Sequence, residues 1–116
     1  MLQPLTTQAE AEALIASATP AWLLKHSDTC GISQVALEEV EAYLAGHHDA
    51  RAGIIVVQTQ RPLSTWLAAR LQRVHQSPQL FLLKEGAVRW SASHYSITAA
   101  AMERAAADEQ PSRSGR

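Results

Sequence analysis

No stretch of the chain restricts its fold more than Gly53-Ile54-Ile55-Val56-Val57. Four of these five apolar residues are β-branched, and none offers a face to water. Such a strand belongs inside a sheet covered on both sides, as parallel strands between helices are. The flanking sequence supplies those helices. Ile32, Val35, Ala36, Val40, Tyr43 and Leu44 recur at helical spacing, Gln34, Glu38, Glu39 and Glu41 lie largely outside their stripe, and Gly46 ends the run. Beyond the strand, Gln58 to Pro62 reads as a loop, and Ser64 is placed to cap a helix carrying Leu67, Leu71 and Val74.

Shorter signals complete the pattern. Trp22-Leu23-Leu24 predicts a buried strand over 21–26, and Leu80 to Leu83 another. Glu85-Gly86 makes a tight turn into the alternating run Ala87 to Ser91, so the last two strands form a hairpin. Thr7 to Ser17 predicts a short helix, with Thr6 or Thr7 as its cap and Glu10 three residues after Thr7, ended by Thr19-Pro20. Thr98 opens a final helix that ends near Ala107. The expectation is an α/β fold: an extra N-terminal helix, then β-α-β-α-β-β-α around a mixed four-stranded sheet. Helical crossovers would make its first three strands parallel. Residues 1–107 read as one domain and the polar 108–116 as a disordered tail.

Composition narrows the function. Ten basic and eleven acidic residues leave a net charge of −1, which argues against a nucleic-acid surface. No apolar run approaches the roughly 18 residues that a membrane span needs. Met1-Leu2-Gln3-Pro4 reads as no signal peptide, so the expected location is the cytoplasm. A single cysteine excludes an intramolecular disulfide and every metal site built on paired cysteines.

That cysteine is the strongest site candidate. A lone cysteine is most often an inert core residue, but Cys30 stands between Thr29 and Gly31, where a strand gives way to a helix. The first amides of a helix lack intrahelical partners, and the amide of Ser33 is the natural donor to a side chain in the cap position. With the helix dipole, this favours thiolate over thiol. Lys25 and His26 would add positive potential and Asp28 would oppose it. Lowering a thiol pKa from about 8.5 to about 6 raises its thiolate fraction roughly tenfold, and the loss of intrinsic nucleophilicity takes back about as much. The larger gain is as a leaving group, which suits a sulfur that passes a small thiol between molecules. Pro78, just before a strand, must stand at a strand start or a special turn. An ordinary trans bond and a cis bond that frees the Ser77 backbone for a bound thiol both fit the residues.

Four separated motifs carry a resemblance. They are Lys25-His26-Ser27-Asp28-Thr29-Cys30-Gly31-Ile32-Ser33, Arg61-Pro62-Leu63-Ser64, His75-Gln76-Ser77-Pro78-Gln79, and Trp90 through Thr98. In this order they resemble the YtxJ-type monothiol bacilliredoxins over about residues 20 to 105. The resemblance implies a thioredoxin-like fold, Cys30 as the catalytic cysteine and Pro78 as a cis-proline facing it. It implies that Cys30 removes bacillithiol from bacillithiolated client proteins, becomes bacillithiolated, and is reset by another low-molecular-weight thiol. Bacillithiol would be a co-substrate, with no tightly bound cofactor and no metal. Thr29, Gly31, Ser33, Ser77, Pro78 and His94 would bind substrate, and Arg61 would hold the malate carboxylates of bacillithiol. His75 reads as a surface residue, His47-His48-Asp49 as a loop, and Trp90 as the tryptophan nearest the site.

The family usually carries Thr-Cys-Pro-Ile-Ser, and Gly31 replaces that proline here. Cys-Gly-Ile-Ser also resembles the Cys-Gly-Phe-Ser of monothiol glutaredoxins, which implies an iron–sulfur cluster shared by two chains as an alternative. A non-catalytic redox sensor or adaptor is another. Ser33 stands where dithiol relatives place a resolving cysteine. Cys30 therefore forms mixed disulfides and waits for an outside thiol, as a monomer or as a Cys30-linked pair.

Overall fold

The middle strand of the sheet is not the 53–57 run but Ala21–His26, every residue of which is buried. The computed structural model describes residues 2–109. Its strands are β1 (Gln3–Pro4), β2 (Ala21–His26), β3 (Arg51–Val56), β4 (Gln79–Lys84) and β5 (Ala87–Ser93), arranged in one mixed sheet in the order β1-β3-β2-β4-β5. Four helices flank it: α1 (Gln8–Ile15), α2 (Gly31–Ala45), α3 (Arg61–Leu71) and α4 (Ala99–Asp108). Alternate residues of β2 feed opposite layers. Ala21 and Leu23 pack with α1 and α3, whereas Trp22 and Leu24 pack with α2 and α4. No helix among the described residues is long and apolar enough to cross a membrane.

The expected four strands become five because Gln3 and Pro4 pair in parallel with Gly53 and Ile54. Two residues carry no periodicity, so nothing in the sequence marks this strand. Leu5 follows, its N–H donating to Ile54 O at 2.9 Å. A side chain at Gly53 would bring a Cβ within 2.7 Å of Leu5 Cδ1 and 3.0 Å of Leu14 Cδ2. Gly53 is therefore where the N-terminal segment closes onto the sheet.

β2 and β3 run parallel through the α2 crossover, as expected. β4 does not share their direction: it pairs antiparallel with β2. The reason lies after α3. Gln72 takes a left-handed conformation (φ 56°, ψ 47°) at the helix end, and Arg73 N–H turns back onto Ala68 O at 3.0 Å. The chain then returns along the helix it has just left, bringing His75 beside Arg61, Ser64 and Ala68. β4 thus begins at the edge of the sheet where α3 began. Lys25 pairs with Gln79, and the same register puts Pro78 beside His26. A parallel β4 would have carried Pro78 to the opposite end of β2.

Smaller expectations also shift. α3 starts at Arg61 with Gln60 as its cap, and Ser64 is buried inside the helix instead of capping it. Val74 lies beyond the helix and is 82% exposed. In α2 the buried stripe is Ser33, Ala36, Val40, Tyr43 and Leu44, and Val35 faces water. Thr7 caps α1 in a reciprocal box with Glu10, and the helix stops at Ile15, short of Ser17. α4 includes Asp108, with Glu109 as its cap, and the rest of the expected tail lies outside the described residues.

Candidate active site

The carboxyl ends of β2 and β3, the start of β4 and the end of β5 share one edge of the sheet. Ligands of α/β sheets collect at such edges. Cys30 stands there as the N-cap of α2, in extended conformation (φ −112°, ψ 124°) and partly exposed. Its thiol pKa lies below the ordinary value. The Ser33 amide contributes most; burial opposes it and outweighs either of the remaining lowering contributions, the Ile32 amide and the Ser33 hydroxyl. The sulfur makes no cap hydrogen bond of full geometry. The pull is thus that of partial positive charges at a helix start. Lys25, His26 and Asp28 are not among the causes of the shift.

The loop that carries Cys30 is tied from two sides. Ser33 Oγ accepts from Ser27 N–H at 3.2 Å. Ser33 is fully buried, so it positions the loop and presents its amide to the sulfur, and its side chain is not open to a bound molecule. From the other side comes Gln58, which follows β3. Its Nε2 donates to Ser27 Oγ at 2.6 Å and Thr29 Oγ1 at 3.2 Å, and its Oε1 accepts from Asp28 N–H at 3.1 Å. Sequence reasoning missed Gln58. The only signal was its place directly after the apolar strand.

The turn into β4 supplies the other wall. The Ser77–Pro78 bond is cis. Pro78 O accepts from His94 N–H at 3.1 Å, and His94 begins the 3-10 turn His94–Ser96 with φ 54° and an exposed side chain. Ser77 makes no backbone hydrogen bond among the described residues. Gly31, exposed, opens α2 beside Cys30. Arg61 stands at the same edge but on the α3 side of the sheet, lining a cavity of about 240 Å³.

Trp90 is not at this edge. It pairs with Leu82 and stands edge-on to Trp22 with ring centroids 6.0 Å apart, toward the middle of the sheet. His47 stacks on Tyr43 at 3.9 Å, and its Nδ1 is 2.7 Å from Tyr43 O. The edge has a further peculiarity. The buried side-chain nitrogens and oxygens that lack a hydrogen-bond partner among the described residues are Lys25 Nζ, His26 Nδ1 and Ser77 Oγ. All three lie on the last two residues of β2 or in the turn facing them. Such orphans are rare in folded proteins.

A family model described as monothiol bacilliredoxin BrxC matches residues 3–102. The chain belongs to the monothiol bacilliredoxin family. Among solved structures, the chain is similar to one described as "a putative oxidoreductase with a thioredoxin fold", at 29% identity and a TM-score of 0.83, covering 90% of this chain and 92% of that one. Fasciola hepatica thioredoxin superposes with a TM-score of 0.76 at 15% identity, over 94% of this chain and all (100%) of that one. Mitochondrial thioredoxin 3 from Saccharomyces cerevisiae gives 0.73 at 17% identity, over 92% and 94% of the two chains. The fold is thioredoxin-like, and the one cysteine of this bacilliredoxin, Cys30, stands at the carboxyl edge of its sheet.

Proposed function

We propose that this bacilliredoxin is a monothiol oxidoreductase that removes bacillithiol from mixed disulfides on client proteins. The observation that carries the reading is Cys30 itself: the one cysteine of the chain, at a helix start whose amides favour its thiolate. The Cys30 thiolate attacks the bacillithiol sulfur of a client mixed disulfide. That S–S bond breaks, the client leaves as a thiolate and takes a proton, and a Cys30–bacillithiol disulfide forms. With no second thiol in the chain, a small thiol from solution, as its thiolate, attacks the bacillithiol sulfur of this adduct. The Cys30 thiolate departs, and bacillithiol leaves in a new disulfide with that thiol. The amides that favour the thiolate also make it a good leaving group.

The surroundings suit a protein client. Val35, Val74 and Tyr95 are the large apolar residues exposed among those described. They belong to the first turns of α2, the segment before Pro78 and the turn after β5, around the Cys30 edge. The free N–H and C=O of Ser77 are available to pair with the backbone of a bound thiol, beside Pro78 and His94. Thr29 and Gly31 border the sulfur directly.

The test is intact-mass spectrometry after incubation with oxidised bacillithiol, followed by a bacillithiolated client. A single adduct that maps to Cys30, and release of unmodified client by the reduced protein, are expected. An equal adduct on Cys30→Ser would end the proposal. An adduct without client release would leave a sensor in its place.

A further inference from the structure

The cavity beside Arg61 gathers positive charge that the fold itself leaves unanswered. It is lined by Val57, Arg61, Ser64, Thr65, Ala68 and His75. Lys25 lies on the same side of the sheet, since residues two apart on β2 share a face and Ala21 and Leu23 pack with α1 and α3. Lys25 is 1% exposed, and its Nζ has no hydrogen-bond partner among the described residues. His75 feels both cations: burial first, then the charges of Lys25 and Arg61, push its pKa below the ordinary value. The Ser64 hydroxyl lies 3.5 Å from His75 Nδ1. No ion pair among the described residues involves Lys25, Arg61 or His75.

Arg61 and His75 on this cavity are exposed, so water screens them, but the buried Lys25 ammonium on the same side of the sheet has no counter-ion among the described residues and is costly. An anion from outside would answer that charge. The volume, about 240 Å³, falls below the roughly 300–1,000 Å³ of sites for larger ligands. It has room for a small acid rather than a whole cofactor. Arg61 offers a planar fork that matches a carboxylate, and Lys25 offers a point charge behind it. His75 also links this cavity to the thiol site, being two residues before Ser77. A small thiol lying along the Ser77–Pro78 turn with its sulfur toward Cys30 extends over the sheet edge toward His75.

We infer that this cavity is a dicarboxylate subsite: Arg61 is its lining cation, Lys25 the buried charge behind it, Ser64 and His75 offer hydrogen bonds, and it takes the acidic end of the small thiol co-substrate. The inference rests on the thiol-exchange reading above for its ligand, but its binding arm does not.

Two arms test it. In the first, the reduced protein is titrated with free malate and with the neutral diamide of malate, followed by amide NMR shifts. Malate is expected to move Arg61, Ser64 and His75, the diamide to move none of them, and Lys25→Met and Arg61→Gln to weaken malate binding about tenfold each. In the second, the rate of Cys30 adduct formation is compared between bacillithiol disulfide and the same disulfide with its carboxylates blocked as amides. The wild type should prefer the acid, and both variants should cut that preference ratio about tenfold. No malate shifts, or a preference ratio unchanged in both variants, would overturn the subsite while leaving thiol exchange at Cys30 standing. Malate binding with no adduct from either disulfide would instead remove the thiol-exchange reading, and with it the co-substrate as ligand.

Discussion

Replacing Lys25 with methionine is expected to make the protein more stable. Burial lowers the pKa of this lysine from 10.5 to about 8, with no partner among the described residues to offset it. At 1.36 kcal/mol per pH unit, holding that proton in the folded state below pH 8 costs about 3 kcal/mol. Methionine has a similar reach, no charge, and a flexible thioether that fills uneven space. Lys25→Met should therefore gain about 3 kcal/mol at pH 7. The pH dependence gives the argument its sign. Between about pH 8 and 10.5 the unfolded chain still binds the proton and the folded chain has lost it. Wild-type stability should rise through that window by the amount that it lacks at pH 7, and the variant has no such rise. The two stability curves should converge near pH 10.5. Cys30 and Tyr43, whose pKa values are also displaced, contribute to both proteins and cancel in the difference. Urea unfolding followed by tryptophan fluorescence at a series of pH values measures this directly. A variant less stable than wild type at pH 7, or a gap that does not narrow as pH rises, would refute the claim that this ammonium is buried without a partner.

Gly31→Pro should stabilise the fold by about 0.4–1 kcal/mol in thermal or urea unfolding, because proline suits the first helical position and restricts the unfolded chain. No atom lies within 4 Å of a Cβ built at this site, and the extended Cys30 before it suits a following proline. The same variant should leave the thiol pKa in place, since the Ser33 and Ile32 amides set it. Ser33→Ala keeps the amide that lowers the Cys30 pKa most and removes only the smaller hydroxyl contribution, so the pH profile of iodoacetamide labelling should move only slightly to higher pH. It also strands the Ser27 N–H, at a cost of about 1–3 kcal/mol if that group stays dry. Gly53→Ala should cost about 1–3 kcal/mol by driving a methyl into Leu5 and Leu14, and amide exchange should show the first five residues loosening before the rest.

What the sequence made legible is what has a local cause. β2 and the β4–β5 hairpin follow from apolar runs and the Glu85-Gly86 turn, and Cys30 stands out because small polar neighbours mark a strand-to-helix junction. The direction of β4 has no such local cause. It depends on a left-handed residue that is Gln72 rather than the glycine usual there, and on a return path along α3. β1 is too short to have a period. Gln58 and Lys25 escaped for a different reason. A glutamine after a strand reads as an ordinary solvated residue, Lys25 reads in the sequence only as a positive charge near the thiol, and only the packing around them reveals a tether and an unpartnered buried ammonium.

The rim strand β1 has one consequence outside the chemistry. It closes the flank of β3 with only Gln3 and Pro4, and a proline has no amide hydrogen to lend to a newcomer. A second polypeptide arriving from that flank finds little main chain to zip onto.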